Sequence, residues 1–167
     1  WTNQAQLPVV LDVTSCTHTL QQSYPVLTPD NKVKFDRLRI LDSVDYIHSF
    51  IVPSIRVKAN KDSIVLHPVC SLQKMGLSDI FVRIANAFAN EVKVPLHAGC
   101  CGMAGDRGFL FPELTRSAVA DEIAEVEKNT YDGYYSSGKT CEMALSDAVN
   151  KNYESILFLV DECTDFS

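Results

Sequence analysis

No Cys-x-x-Cys pair occurs in this chain of 167 residues, so the close thiol spacing of many structural zinc modules is missing. Basic residues are outnumbered, 15 Lys and Arg against 21 Asp and Glu. The resulting net charge of −6, with no basic stripe, argues against a nucleic-acid partner, because such binding needs clustered cations to neutralise phosphates. Apolar runs are short. The longest, Ile156 to Val160, is far too short to form a transmembrane segment, and no charged-then-apolar secretory leader opens the chain. Internal repeats and low-complexity tracts are also absent.

What remains is an ordinary globular composition, 46% hydrophobic and 22% charged, in a length that fits one domain over residues 1–167. The expected setting is soluble and cytoplasmic, with any attachment to the inner membrane supplied by a parent protein. Trp1 stands where an initiator Met is usual, and the featureless stretch 2–7 precedes an abrupt strand. The chain therefore reads as a piece of a longer protein. Six cysteines without a secretory leader favour metal or redox chemistry over a disulfide framework.

Four of the seven glycines fall between Gly99 and Gly108, around the adjacent pair Cys100 and Cys101. Such a loop lets backbone N–H groups and thiols approach one object closely, since positive φ is accessible and no Cβ intervenes. Adjacent cysteines form a strained disulfide at best, whereas two thiolates beside bare amides suit an anionic iron–sulfur centre. The glycine run at 102–108 lacks both Gly-x-Gly and a Gly-Lys-Ser/Thr ending, so nucleotide binding is discounted.

Along the chain, Pro8–Val13 reads as a buried strand ending near Cys16, and residues 20–33, with two prolines, as an irregular segment. Leu38, Leu41, Val44, Ile47 and Ile51 recur every three or four residues, predicting one long amphipathic helix from Phe35 that stops before Pro53. Ser63–Val69 is a second strand, with Cys70 directly after it. Ser78 can cap a helix carrying Phe81, Ile84, Ala85 and Phe88 on one face, and Glu91–Leu96 gives a third strand before Cys100. Pro112 opens a helix with Val119, Ile123 and Val126 inward; Tyr131–Ser136 is a fourth strand, and Cys141 lies in the first turn of the next helix. Ser155–Val160 reads as a last strand.

Strands alternating with helices predict an α/β domain of three layers, a mostly parallel sheet of about five strands flanked by helices. In such sheets the sites lie beyond the carboxyl ends of the strands. Cys16, Cys70, Cys100, Cys101 and Cys141 each follow a predicted strand, so one rim can gather all five although they are far apart in sequence.

Ser-Cys-Thr-His at 15–18, His-Pro-Val-Cys-Ser-Leu-Gln-Lys at 67–74, Gly-Cys-Cys-Gly-Met-Ala-Gly at 99–105 and Gly-Lys-Thr-Cys at 138–141 together resemble the cysteine-rich CCG domain. That family includes heterodisulfide reductase and the iron–sulfur subunits of glycolate- and glycerol-3-phosphate-oxidising enzymes. Arg107-Gly108-Phe109 and Phe111-Pro112-Glu113-Leu114 look most like the C-terminal domain of bacterial flavin and iron–sulfur D-lactate or D-2-hydroxyacid dehydrogenases. The resemblance implies an iron–sulfur cluster, of 4Fe-4S type, ligated by Cys70, Cys100, Cys101 and Cys141 with Cys16 as a fifth ligand. It also implies FAD in a preceding oxidase domain, a ferredoxin-like segment of the same parent chain, and a quinone-type electron acceptor. Some members end the motif in Cys-x-x-Cys, but position 144 is Ala here, so their ligand set does not transfer whole.

Two other readings stay open: a zinc-holding structural or docking domain, and a thiol–disulfide domain using Cys100 and Cys101 as a dithiol. Cys163 reads as a packing residue. His67 and His97 read as satisfied structural histidines ahead of ligands, and His18 and His48 more so. Arg107, Lys74 and Lys139 flank the expected rim, where solvated surface charge is their ordinary role. No flavin or nicotinamide site is recognisable, so the chain alone is not expected to be catalytic.

Overall fold

The computed structural model describes residues 2–165; Trp1, Phe166 and Ser167, the ends of the predicted domain, lie outside the described residues. The chain begins with β1 (Val9–Leu11), α1 (Thr14–Gln22), α2 (Pro29–Phe35) and β2 (Ile40–Asp42). A helical segment follows, α3 (Ser43–Tyr46) running into a wide π turn at Ile47–Ile51 and a tight turn at Val52–Ser54. Next come β3 (Arg56–Val57), β4 (Lys61–His67), α4 (Cys70–Lys74), α5 (Ser78–Asn86) and β5 (Ala89–Lys93). After a long loop the chain forms α6 (Arg107–Leu110), α7 (Pro112–Val126), β6 (Gly133–Ser136) and α8 (Lys139–Val149). It closes with β7 (Tyr153–Ser155), α9 (Ile156–Glu162) and β8 (Thr164–Asp165).

The main sheet has four parallel strands in the order β5-β4-β6-β7. Its middle strand β4 carries Ile64, Val65, Leu66 and His67, all fully buried, as a strand covered on both faces must be. Full burial of each aliphatic side chain contributes about 1.5–3 kcal/mol. Right-handed crossovers leave in opposite directions from β4 and β6, so α5 covers one face and α7 and α8 the other. α7 packs on α8, while α5 packs on α3 and the π turn. The expected layered α/β architecture is present.

β1 and β2 pair in parallel as a separate small sheet, and β3 pairs antiparallel with β8. The first predicted strand therefore stands outside the main sheet. Its unit is tied in through Thr14, whose hydroxyl donates to the Ser137 carbonyl at 3.1 Å, just past β6.

Three sequence expectations are corrected. The segment 20–33 is largely helical, because Pro29 occupies the first turn of α2, where a missing N–H costs little, and so starts a helix instead of preventing one. The long helix expected from Phe35 is interrupted by β2. Its apolar positions fit a helical period, but Ile40 and Leu41 pair with β1, and the Asp42 carboxylate then caps a fresh helix by accepting from Val44 N–H at 3.0 Å. The last predicted strand is mostly α9, with Ser155 capping Leu157 N–H; Ile156, Leu159 and Val160 are buried, which is helical spacing.

Candidate functional site

Chain order and strand order disagree at one place. From β4 the chain turns outward to β5, then crosses back to β6 on the other side, which makes the carboxyl edge between β4 and β6 the switch point of the sheet. Cys70 opens α4 directly beyond β4, and Cys141 lies in the first turn of α8 beyond β6. The loop after β5 brings in Cys100 and Cys101. All four line one cavity of about 290 Å³, together with Ser15, Met103, Gly138 and Lys139.

Cys16 is placed differently. It is exposed on α1 and lines a surface groove with Leu11, Thr19 and Leu20, while its neighbour Ser15 lines both that groove and the cavity. Cys163 is buried at the end of α9, with Sγ 3.9 Å from the Phe88 carbonyl, and takes no part in the cavity.

Gly102 shapes the loop. It has φ +75°, and a Cβ there would lie 2.7 Å from the Leu114 carbonyl oxygen, so the loop rests directly on α7 backbone. That contact holds Cys101 inward, where it and Cys141 are buried while Cys70 and Cys100 stay exposed.

The Sγ atoms of Cys101 and Cys141 are 2.6 Å apart and all six cysteines are free thiols. The Cys141 hydrogen bond is the main force pulling the Cys101 thiol down to about 6, assisted by Met103 N–H and the positive charge of His67 against the opposing effect of burial. Cys141 is pushed up correspondingly, first by the same hydrogen bond, then by burial and by negative charge on Cys101, Cys70 and Cys100. The two thiols titrate as a coupled pair, the thiolate being favoured on Cys101 and disfavoured on Cys141. Lys139 lines the cavity, but its Nζ pairs with Glu142 at 3.1 Å.

Among the described residues, no three His, Cys, Asp or Glu side chains gather closely enough to hold a single ion. The thiols ring a cavity instead of a point. As a donor set, four cysteines that line one cavity fit a thiolate-bound metal cluster. The first turn of α8 has no side-chain cap, which leaves backbone N–H groups available beside Cys141.

At the carboxyl end of β4 lies a buried pair that sequence reasoning missed. His67, the last residue of β4, has Nδ1 at 2.8 and 3.0 Å from the two carboxylate oxygens of Glu122 on α7. Both are buried. The available signal was a carboxylate on the apolar face of α7, between Val119 and Val126. His97 is a satisfied histidine away from the cavity: its ring and backbone N–H engage Glu125, which also accepts from Leu96 N–H at 2.8 Å. Neither Arg107 nor Lys74 lines the cavity.

The chain is distantly similar to one component of a dehydrogenase. It is 25% identical over 138 residues to a subunit of the anaerobic glycerol-3-phosphate dehydrogenase of Escherichia coli K12, and equally to its counterpart in Escherichia coli O157:H7. The match takes in 81% of this chain but 35% of the relative, so the chain spans about a third of the length of the curated proteins it matches. No family model matches. Among the described residues no helix is long and apolar enough to cross a membrane.

Proposed function

We propose that this chain is the iron–sulfur electron-transfer unit of an FAD-linked D-2-hydroxyacid dehydrogenase of the D-lactate type. The observation that carries the reading is the convergence of Cys70, Cys100, Cys101 and Cys141 on one cavity at the switch point of the sheet. Similarity to a dehydrogenase component supports it. That relative is named for glycerol-3-phosphate, so the D-lactate assignment rests on the sequence resemblance alone.

In this reading the four thiolates hold a 4Fe-4S cluster, and Cys16 is the fifth thiol, standing one residue beyond the cavity-lining Ser15. A cluster of this kind accepts and releases single electrons. The chain's own residues supply the rest: Gly102 seats the loop on α7, Met103 N–H donates toward the Cys101 sulfur, and the buried wall excludes water from Cys101 and Cys141. Flavin and ferredoxin-like domains of the parent supply electrons, and a quinone-type acceptor removes them at or near the inner membrane. A ring of thiols around a cavity favours a polynuclear group over one tetrahedral zinc, which needs four sulfurs about one point.

The test is anaerobic reduction of the reconstituted chain by dithionite, followed by mixing with a soluble quinone. The expected result is a visible thiolate-to-iron band that bleaches on reduction and returns with the quinone. A band that never bleaches, or that returns only with oxygen, contradicts electron transfer.

A further inference from the structure

A second cavity, of about 650 Å³, lies between α6, α7 and α8, and no cysteine lines it. Its size falls within the range of small-molecule sites, about 300–1,000 Å³. Met103, Phe109, Pro112, Met143, Ala144 and Ala148 make most of its wall apolar. Met103 is buried and lines this cavity and the thiol cavity alike, so the two share a wall. That wall is held in place. The Thr115 hydroxyl donates to Met103 Sδ at 3.7 Å, and Gly108 leaves room for both, since a Cβ there would meet Met103 Sδ and lie 2.6 Å from Thr115 Oγ1. Ala144, one turn along α8 from Cys141, is a second point of approach to the thiols.

Two charged groups interrupt the apolar lining, Arg116 from α7 and Asp147 from α8. Among the described residues neither has an ion-pair partner. A guanidinium only donates hydrogen bonds and a carboxylate only accepts them. The matching ligand therefore has an apolar body and a polar end that can accept from one helix and donate to the other. Lying against a group that passes single electrons, it must also be able to take them. A quinone meets each condition: its ring is apolar, its carbonyl oxygens accept from Arg116, and its reduced form carries hydroxyls that donate to Asp147. The Met103 thioether and the Phe109 ring are favourable neighbours for such a ring.

We propose that the cavity between α6, α7 and α8 binds the quinone-type acceptor, with Met103 standing between the quinone and the group held by the thiols. This rests on the cluster reading above. Each quinone takes two electrons, one at a time from the cluster, and two protons from water, its two carbonyls becoming the hydroxyls of the quinol. The flavin-linked part of the parent protein replaces the electrons.

The experiment uses duroquinone, whose fully substituted ring cannot add a free thiol. Its binding to the metal-free chain is measured by anaerobic calorimetry for the native sequence, Ala148→Phe, Arg116→Met and Leu96→Ala, a substitution outside the cavity. The native chain should bind it saturably at one site, and Leu96→Ala should match it. Ala148→Phe should abolish binding by filling the cavity, and Arg116→Met, an exposed position that does not threaten folding, should raise the dissociation constant about tenfold. No saturable binding to the native chain, or native affinity in Arg116→Met, overturns the proposal.

In a second arm the reconstituted chains are reduced with dithionite and reoxidised by subsaturating duroquinone or by ferricyanide, a hydrophilic oxidant with no use for an apolar pocket. Reoxidation by duroquinone should slow about tenfold in Arg116→Met, in proportion to its weaker binding, with the ferricyanide rate unchanged. Equal slowing with both oxidants, or none with duroquinone, overturns the proposal. A native chain that takes up no iron overturns the cluster reading instead, and the metal-free titration reports on the cavity separately.

Discussion

Cys101 and Cys141 are 40 positions apart in sequence, yet their sulfurs lie 2.6 Å from each other at the edge of the sheet. The topology forces this meeting: one sulfur arrives on the loop after β5, the other on the first turn after β6, and β4 lies between those strands. Of the two, Cys101 is the acidic member.

In the metal-free chain, one thiolate should therefore form near pH 6, seen as a rise in ultraviolet thiolate absorbance, well below the ordinary value of 9.0. Cys141→Ala removes the donor and should move that rise toward 9. The depressed Cys101 pKa contributes stability that is fully present above pH 9 and is lost as the pH falls toward 6. Cys141, whose pKa is raised, acts oppositely above pH 9, where the unfolded thiol ionises and the folded one does not. Metal-free stability should rise from pH 6 to 9 and then decline.

Gly102→Ala should dislodge the cysteine loop. A positive φ costs a non-glycine residue about 1–3 kcal/mol, and the added methyl also meets the Leu114 carbonyl. The expected outcome is a lower denaturation midpoint together with loss of metal uptake, whereas Gly76→Ala, where a Cβ meets nothing within 4 Å, should cost stability without affecting uptake.

Asp42 ties β2 to α1 and caps α3, accepting from Thr17 Oγ1 at 2.9 Å and Val44 N–H at 3.0 Å. Asp42→Ala should cost roughly 2–4 kcal/mol in urea unfolding, because two buried donors lose their acceptor. Burial raises the Asp42 pKa above 3.8, so the unfolded carboxyl ionises first. Stability should fall as pH rises through the window just above 3.8 and then level off, and Asp42→Asn should remove that slope.

The layered fold and the gathering of four cysteines at one cavity were legible because both follow from local rules. Ile64 to His67 reads as a strand without any partner in view, and thiols just after strands must collect at the carboxyl edge. What the sequence hid depends on tertiary partners. Ile40 and Leu41 are spaced like a helix and become a strand only because β1 lies beside them. Ile156 to Val160 is equally apolar as strand or helix, and the Ser155 cap decides between them. Cys16 also follows a strand, but that strand belongs to the small sheet, which is why its thiol stands apart from the other four. The grip of Glu122 on His67 spans 55 positions and two elements, a distance no local pattern conveys.

The central claim is that this cavity holds an iron–sulfur cluster. Its most direct test is the iron, acid-labile sulfide and zinc content of the chain purified anaerobically without chelators, for the native sequence and for Cys101→Ser, Cys141→Ser and Cys16→Ser. The account predicts iron with matching sulfide in the native chain, and loss of both in Cys101→Ser and Cys141→Ser. Cys16→Ser should lower the content, since the account counts it as the fifth thiol. Stoichiometric zinc without sulfide, or no metal after anaerobic reconstitution, would contradict the account.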